Sequence, residues 1–295
     1  MGIIDFHTHA FPDKVAARAI PALEREAGIK AVLDGTLSAL LGSMDAAGIE
    51  RSLVMSIATR PEQFDSIMAW SRAIASERIV PLPSIHPADP LARERAAAVA
   101  AAGFKGVKLH PFYQDFSLDD PAALPLMEAL AAHGLFCVCH TGFDIAFPRV
   151  RRCDPAMVAA LAARVPGLVF VATHLGGWYD WEEVERHLLG TPVYMDISFT
   201  LGHLAERNVA RMLRAHPADY LLFGTDSPWQ DQRVACEGVR ALGLGKSLEE
   251  RLFHANAARL LGDAGAGQQS FPAERRGTPG GSGAGGAPVS GSGMP

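Results

Sequence analysis

The sequence predicts an α/β chain folded as a (β/α)8 TIM barrel, a single domain over residues 1–262 with a disordered tail over 263–295. Three observations carry that prediction. Eight short apolar or β-branched runs recur along the chain. Ala- and Leu-rich segments of helical character separate them. Several runs end in His, Lys or Asp, at the strand ends where such a barrel places its active site.

The first run is Ile3–His9, and after it Phe11–Gly35 is an excursion, a lid or rim helix. Ser52–Ala58 and Ile79–Ile85 follow, separated by the helical stretch Ser66–Glu77. Helix Asp89–Ala101 leads to strand Gly106–His110, and Pro121–His133 leads to Leu135–His140. Pro155–Arg164 precedes Leu168–His174, and Trp181–Leu189 precedes Val193–Ser198. Leu204–Ala215 precedes the last strand, Tyr220–Asp226, and helix Ser247–Leu261 closes the domain. The runs lack clean alternation of apolar and polar residues, as parallel strands covered on both faces should. Helices start with Asp or Ser caps or a first-turn Pro. Gly48, Gly103, Gly134 and Gly167 follow helical stretches, where a C-terminal glycine belongs. Alternating β and α with short connections implies a parallel sheet, and eight strands favour a closed barrel. No Gly-x-Gly-x-x-Gly follows the first strand, which argues against dinucleotide binding.

The chain has 295 residues, 48% hydrophobic, and a formal net charge of −5. That supports a sizeable core and supplies no basic field for nucleic acid. No apolar run is long enough to span a bilayer, and no basic-then-apolar leader opens the chain. Cys137, Cys139, Cys153 and Cys236 form no regular framework, which fits a reduced, cytoplasmic protein. Strand alternation turns Cys137 and Cys139 away from His140, as buried packing groups. From about Asp263 the chain turns Gly-, Ala-, Ser- and Pro-rich, with little apolar content to offset the entropy of ordering.

In an extended strand His7 and His9 point the same way, so two imidazoles can grip one cation. Strand four ends in Lys108 and His110, strand five in His140, strand six in His174 and strand eight in Asp226. Imidazole and carboxylate donors with an open position are what a catalytic zinc site uses. Water on such an ion ionises near neutral pH, and a carboxylate beside it can take and return the proton. Asp226 suits that position, since strand eight neighbours strand one in a closed barrel.

His7-x-His9, His140, His174 and Asp226, together with the strings GVKLHP, HLGG and FGTDSPW, resemble the amidohydrolase superfamily. Within it the chain resembles the amidohydrolase-related branch that includes aminocarboxymuconate semialdehyde decarboxylase. The resemblance covers about residues 1–262. It implies one divalent metal, usually zinc, held by His7, His9, His140 and Asp226. It implies Asp226 and His174 as the catalytic acid–base groups, with His174 alternatively in a supporting role or on a second metal. Some members carry a carboxylated lysine at the end of strand four, so a carboxylated Lys108 would make two ions. An unmodified Lys108 would instead bind a substrate carboxylate or polarise a carbonyl. The implied partner is a small-molecule substrate, with no nucleic acid and no membrane. A homodimer is open, since members often dimerise, but no segment signals an interface.

Other residues carry two readings each. His110 is a pocket group or a capped histidine before Pro111, and Trp178, with Tyr179 and Trp181, is substrate wall or rim packing. Trp229 invites the same pair of readings. Asp196 orients a ligand histidine or sits in a buried network. His86 reads as a turn residue or, second, a group at the mouth, and Arg149, Arg151 and Arg152 as a solvated basic loop or, second, a capture site for an acidic substrate group. The expected activity is metal-dependent hydrolysis of a small carboxylate, lactone or amide. Its rivals are non-oxidative decarboxylation on the same site and a catalytically silent protein that keeps the metal for stability.

Overall fold

The computed structural model describes residues 2–263. Its order is β1 (Ile3–Thr8), α1 (Asp13–Ala27), α2 (Leu37–Ala47), β2 (Ile49–Met55), α3 (Phe64–Ile74), β3 (Ile79–Leu82), α4 (Ala92–Ala101) and β4 (Gly106–Leu109). It continues with α5 (Leu124–Ala132), β5 (Phe136–Cys139), α6 (Pro155–Arg164), β6 (Phe170–Ala172), α7 (Trp181–His187), β7 (Tyr194–Asp196), α8 (Glu206–Ala215) and β8 (Leu221–Leu222). Then come α9 (Gln232–Ala241), α10 (Lys246–Glu250) and α11 (Asn256–Leu261). All eight expected strands are present, and every ladder is parallel.

The ladders form two arcs, β1-β2-β3 and β4 through β8. Two seams close them into a barrel. At one, Lys108 N donates to Pro83 O at 2.9 Å; at the other, Phe6 N donates to Phe223 O at 2.7 Å, beside a Thr8–Ser227 bridge. Alternation sorts the side chains into two layers. Ile4, Phe6, Leu53, Leu82, Val138 and Leu222 fill the interior, where Ala257, Ala258 and Leu261 of α11 join them. Val107, Leu109, Cys137, Cys139 and Ala172 face the helices instead. The two thiols therefore lie on the face opposite Val138 and His140, as expected.

Of the expected helices only α6 carries a side-chain cap; α3, α4, α5, α7, α8 and α10 have none, and the unforeseen α9 is capped as well. Asp154 accepts from Met157 N at 2.9 Å and Asp231 from Val234 N at 2.9 Å. Gly48, Gly103 and Gly134 are left-handed, whereas Gly167 is not, because α6 already ends at Arg164. The expected helix Ser247–Leu261 is broken by a π turn at Arg251–Ala255, where Leu252 O accepts from Phe223 N at 2.9 Å. Helices α1, α2 and α9 complete the set. Asp263 is part of the folded unit, since Arg51 Nη1 donates to its Oδ1 at 3.1 Å. The rest of the expected tail lies outside the described residues. No helix among the described residues is long and apolar enough to cross a membrane.

Candidate metal centre

Strict alternation along β1 would defeat the site. Ile4 and Phe6 point into the barrel, so His7 would face the helices with Ile3 and Asp5. The register shows how the strand avoids this. Asp5 lies opposite Ser52 and Thr8 opposite Val54, three steps of β1 against two of β2. That extra residue is a β-bulge, which re-aims the side chains beyond it. His7 N leaves the ladder and donates to Asp5 Oδ1 at 3.2 Å. Asp5 stays on the outer face, taking Thr225 N, Thr225 Oγ and Gln232 Nε2 at 3.0, 2.6 and 2.7 Å.

Two further residues reach the mouth through backbone that L-residues rarely adopt. His174 has φ 60° and Asp226 φ 64°. Each costs roughly 1–2 kcal/mol for a non-glycine residue, strain of the kind held at functional sites. Space is tight as well: a Cβ on Gly224 would meet His7 Cβ at 2.8 Å, so only glycine lets β8 pass His7.

His7 Nε2 and His9 Nε2 stand 3.4 and 3.2 Å from Asp226 Oδ1. These three residues form one group able to hold a cation. Lys108, fully buried, places Nζ 3.2 Å from His7 Nε2. His174 lies between His7 and His140, with ring centroids 5.4 and 4.8 Å away. His140 falls outside the first group and stands with His110 and Asp144 in a second. The His110 ring stacks on His140 at 4.3 Å, and its Nε2 is 3.4 Å from Asp144 Oδ2. Trp178 lines the cavity, while Trp181 turns inward and donates Nε1 to His174 O at 3.1 Å. Asp196 joins both roles expected of it, orienting His7 within a buried network. The His86 ring accepts Ala88 N at 3.1 Å, a turn role.

The hydrogen bonds fix which nitrogens carry protons. His7 Nδ1 donates to Asp196 Oδ2 at 3.0 Å, and His9 Nδ1 to Met55 O at 3.0 Å. His140 Nε2 donates to Phe143 O at 2.9 Å, and His174 Nδ1 to Ser198 O at 3.0 Å. Each neutral ring is thereby left with one unprotonated nitrogen: Nε2 on His7, His9 and His174, and Nδ1 on His140. The last two face each other at 3.0 Å. Bare lone pairs at such separations repel unless a positive charge lies among them. The spacing around Asp226 Oδ1 is close to the ~3.3 Å edge of a tetrahedron with ~2.0 Å metal–ligand bonds. Imidazole nitrogens with one carboxylate suit zinc and its neighbours, so the residues fit a divalent cation. The second group fits one less well, since His140 Nε2 is spent on Phe143 O.

Burial favours the neutral form of His7, His140, His174 and His110. It pushes His7 well down, helped by Lys108, and pushes His174 and His110 to about 3. It also lowers the Lys108 ammonium. For Asp226 burial acts the other way, yet the charge interactions with His7, His9 and His174 lower the carboxyl below its usual range, an effect that needs positive charge among them, which a bound cation would supply with the rings neutral. Asp144 and Ser198 carry no motif and went unforeseen, whereas Leu23 and Ala27 of the wall belong to the expected lid or rim helix. The spacing His140-x-x-x-Asp144 is the one trace of Asp144 in the sequence.

The amidohydrolase family model matches residues 4–262. No curated protein matches the chain. An uncharacterised TIM-barrel protein from Bordetella bronchiseptica is 21% identical, with a TM-score of 0.71 over 88% of this chain and 98% of that one. A 5-carboxyvanillate decarboxylase from Sphingomonas paucimobilis is 16% identical, with a TM-score of 0.64 over 88% and 98%. A candidate 2-pyrone-4,6-dicarboxylic acid hydrolase from Pseudomonas putida is 19% identical, with a TM-score of 0.62 over 88% and 97%. These likenesses establish the barrel. With the family match spanning nearly every described residue, the chain is a member of the amidohydrolase family.

Proposed function

We propose that the protein is a metal-dependent hydrolase acting on a small carboxylate, lactone or amide at the barrel mouth. The observation that carries this reading is the convergence of unprotonated imidazole nitrogens on the ionised Asp226. His7, His9 and Asp226 would hold one divalent cation, with His174 and His140 turned toward the same space. Bound there, the cation supplies Lewis acidity toward an oxygen of water or substrate. Asp226 takes the proton from the attacking water and returns it to the leaving group. His174 Nε2 offers a second acceptor. Lys108 Nζ binds a substrate carboxylate and keeps it at the floor of the cavity.

Non-oxidative decarboxylation on the same residues is the second reading. The apolar wall above Lys108 favours it, because a carboxylate withdrawn from water loses carbon dioxide more readily. Four buried, unpaired thiols extend either reading to a reducing, cytoplasmic compartment.

The test joins elemental analysis with product assays. One zinc-like ion per chain is expected, and Asp226→Asn should fold normally while activity falls about 10²-fold or more. Carbon dioxide release against hydrolysis product separates the two reactions. Full activity in Asp226→Asn removes Asp226 from the mechanism.

A further inference from the structure

The mouth opens into a cavity of about 230 Å³. The strand-end histidines, Asp226 and Lys108 line it on one side. Most of the remaining lining is apolar, Leu23 and Ala27 of α1, Ile29 just beyond it, Ile57, Ile145 and Trp229, with Thr59, Tyr113 and Asp144 among it. Among the described lining residues Lys108 is the one Lys or Arg. The basic loop after β5 brings no second cation, because its arginines are engaged elsewhere. Arg151 pairs with Asp180 at 3.0 Å, Arg152 with Asp115 at 2.8 Å, and Arg149 lies 4.0 Å over the Phe143 ring.

Two observations at the wall speak to what fits there. Asp144 lines the cavity with its oxygens already facing donors, His110 Nε2 3.4 Å from Oδ2 and Ala146 N donating to Oδ1 at 2.8 Å. A second anionic group on a ligand would therefore find no donor there and no further lining Lys or Arg to offset it. Ile145, at the rim, is 45% exposed although it is a large aliphatic side chain in a cavity wall. An apolar residue so placed is covered when an apolar ligand body lies against it.

We infer that the cavity selects a substrate with a single anionic group and a hydrophobic body. The anion sits against Lys108, and the body runs out between α1 and the β5–α6 loop to Ile145. This rests on reading the barrel mouth as the active site. It deepens that reading by assigning Lys108 and Ile145 the choice of ligand. Dicarboxylates are excluded by the missing second cation.

The test is ligand binding by the zinc-loaded full chain, read by quenching of intrinsic tryptophan fluorescence, since Trp178 and Trp229 line the cavity. The probes are benzoate, para-propylbenzoate and isophthalate, with calorimetry as a second readout. Para-propylbenzoate should bind about tenfold or more tighter than benzoate, as burial of added methylenes requires. Isophthalate should bind about tenfold or more weaker than benzoate, as an uncompensated charge on an apolar wall requires. Lys108→Met should weaken all three. Ile145→Arg, a change at an exposed position that leaves the fold intact, should bring isophthalate level with benzoate. Isophthalate binding as tightly as benzoate to the wild type would overturn the inference. So would a propyl group that gains nothing, or absence of binding by all three. Turnover plays no part in this readout. A failed hydrolase or decarboxylase assay alongside the expected ligand order would sink the proposed reaction and leave the selectivity standing.

Discussion

Asp196→Asn tests the protonation argument at its most sensitive point. Asp196 Oδ2 takes the His7 Nδ1 proton at 3.0 Å. Its Oδ1 is already committed to Ser198 N at 3.0 Å, His174 N at 3.2 Å and the Ser198 hydroxyl. An asparagine keeps its one carbonyl oxygen against those three donors, so its NH₂ must face His7 Nδ1. A donor there forces the ring proton across to Nε2, the nitrogen 3.4 Å from Asp226 Oδ1. The substitution thus changes no ligand and almost no volume, yet it puts a hydrogen where the cation needs a lone pair. Loss of such an orienting partner typically costs about 10–100-fold in metal affinity, or about 1.4–2.7 kcal/mol. The assay is zinc titration against a chromogenic chelator near neutral pH, with circular dichroism to confirm the fold. Imidazole nitrogen shifts of His7 should report the change of tautomer directly. A variant with native fold and unchanged zinc affinity would refute the reasoning.

Gly224→Ala should weaken both stability and zinc affinity. The new Cβ would meet His7 Cβ at 2.8 Å, Ser198 Cβ at 3.3 Å and Asp196 Cβ at 3.5 Å, none of which can swing aside. Overpacking of that kind costs about 1–3 kcal/mol, and an unchanged melting temperature by scanning calorimetry would contradict it. Acidification should destabilise the zinc-free protein. Burial lowers His7 and His140 and takes His110 and His174 to about 3, against an unfolded value near 6.5. Depressed folded values mean that stability is whole above about pH 6.5 and is lost as the pH falls toward about 3. Each such histidine contributes a slope of up to about 1.4 kcal/mol per pH unit. Urea midpoints that stay flat as the pH drops through this window would show that the rings are not neutral in the fold.

The barrel was legible because its signals are repeated. Each strand is a short apolar run, each following helix has its own cap or periodicity, and one weak unit is supported by seven others. The segments that were not read as helices are those with mixed signals. Leu37–Ala47 carries an internal Gly42 between two serines, and Gln232–Ala241 has a strong polar face that resembles a solvated loop when read residue by residue. Strand ends were overestimated for a related reason. His140, His174 and Asp226 continue the apolar runs in sequence, but they leave the ladder to reach the mouth, two of them in left-handed backbone.

The face on which His7 and His9 stand was the part alternation could not supply. The rule that the two point together holds, but the same rule, run from Ile4 and Phe6, sends them to the wrong side of the wall. A strand that must both pack the barrel interior and present ligands at its end has to change parity between the two duties. β1 does so with one extra residue, and the cost of breaking the ladder there is met by Asp5. That carboxylate takes the freed His7 N–H and also holds Thr225, the neighbour of Asp226, and Gln232 of α9. One outward-facing side chain therefore sets the positions of the first and last ligands together. The aspartate of Asp5-Phe6-His7-Thr8-His9 is in this sense as much part of the metal centre as the two histidines, although it never faces the cavity. Its sequence signal is its spacing, two residues before His7, where a bulge needs an acceptor.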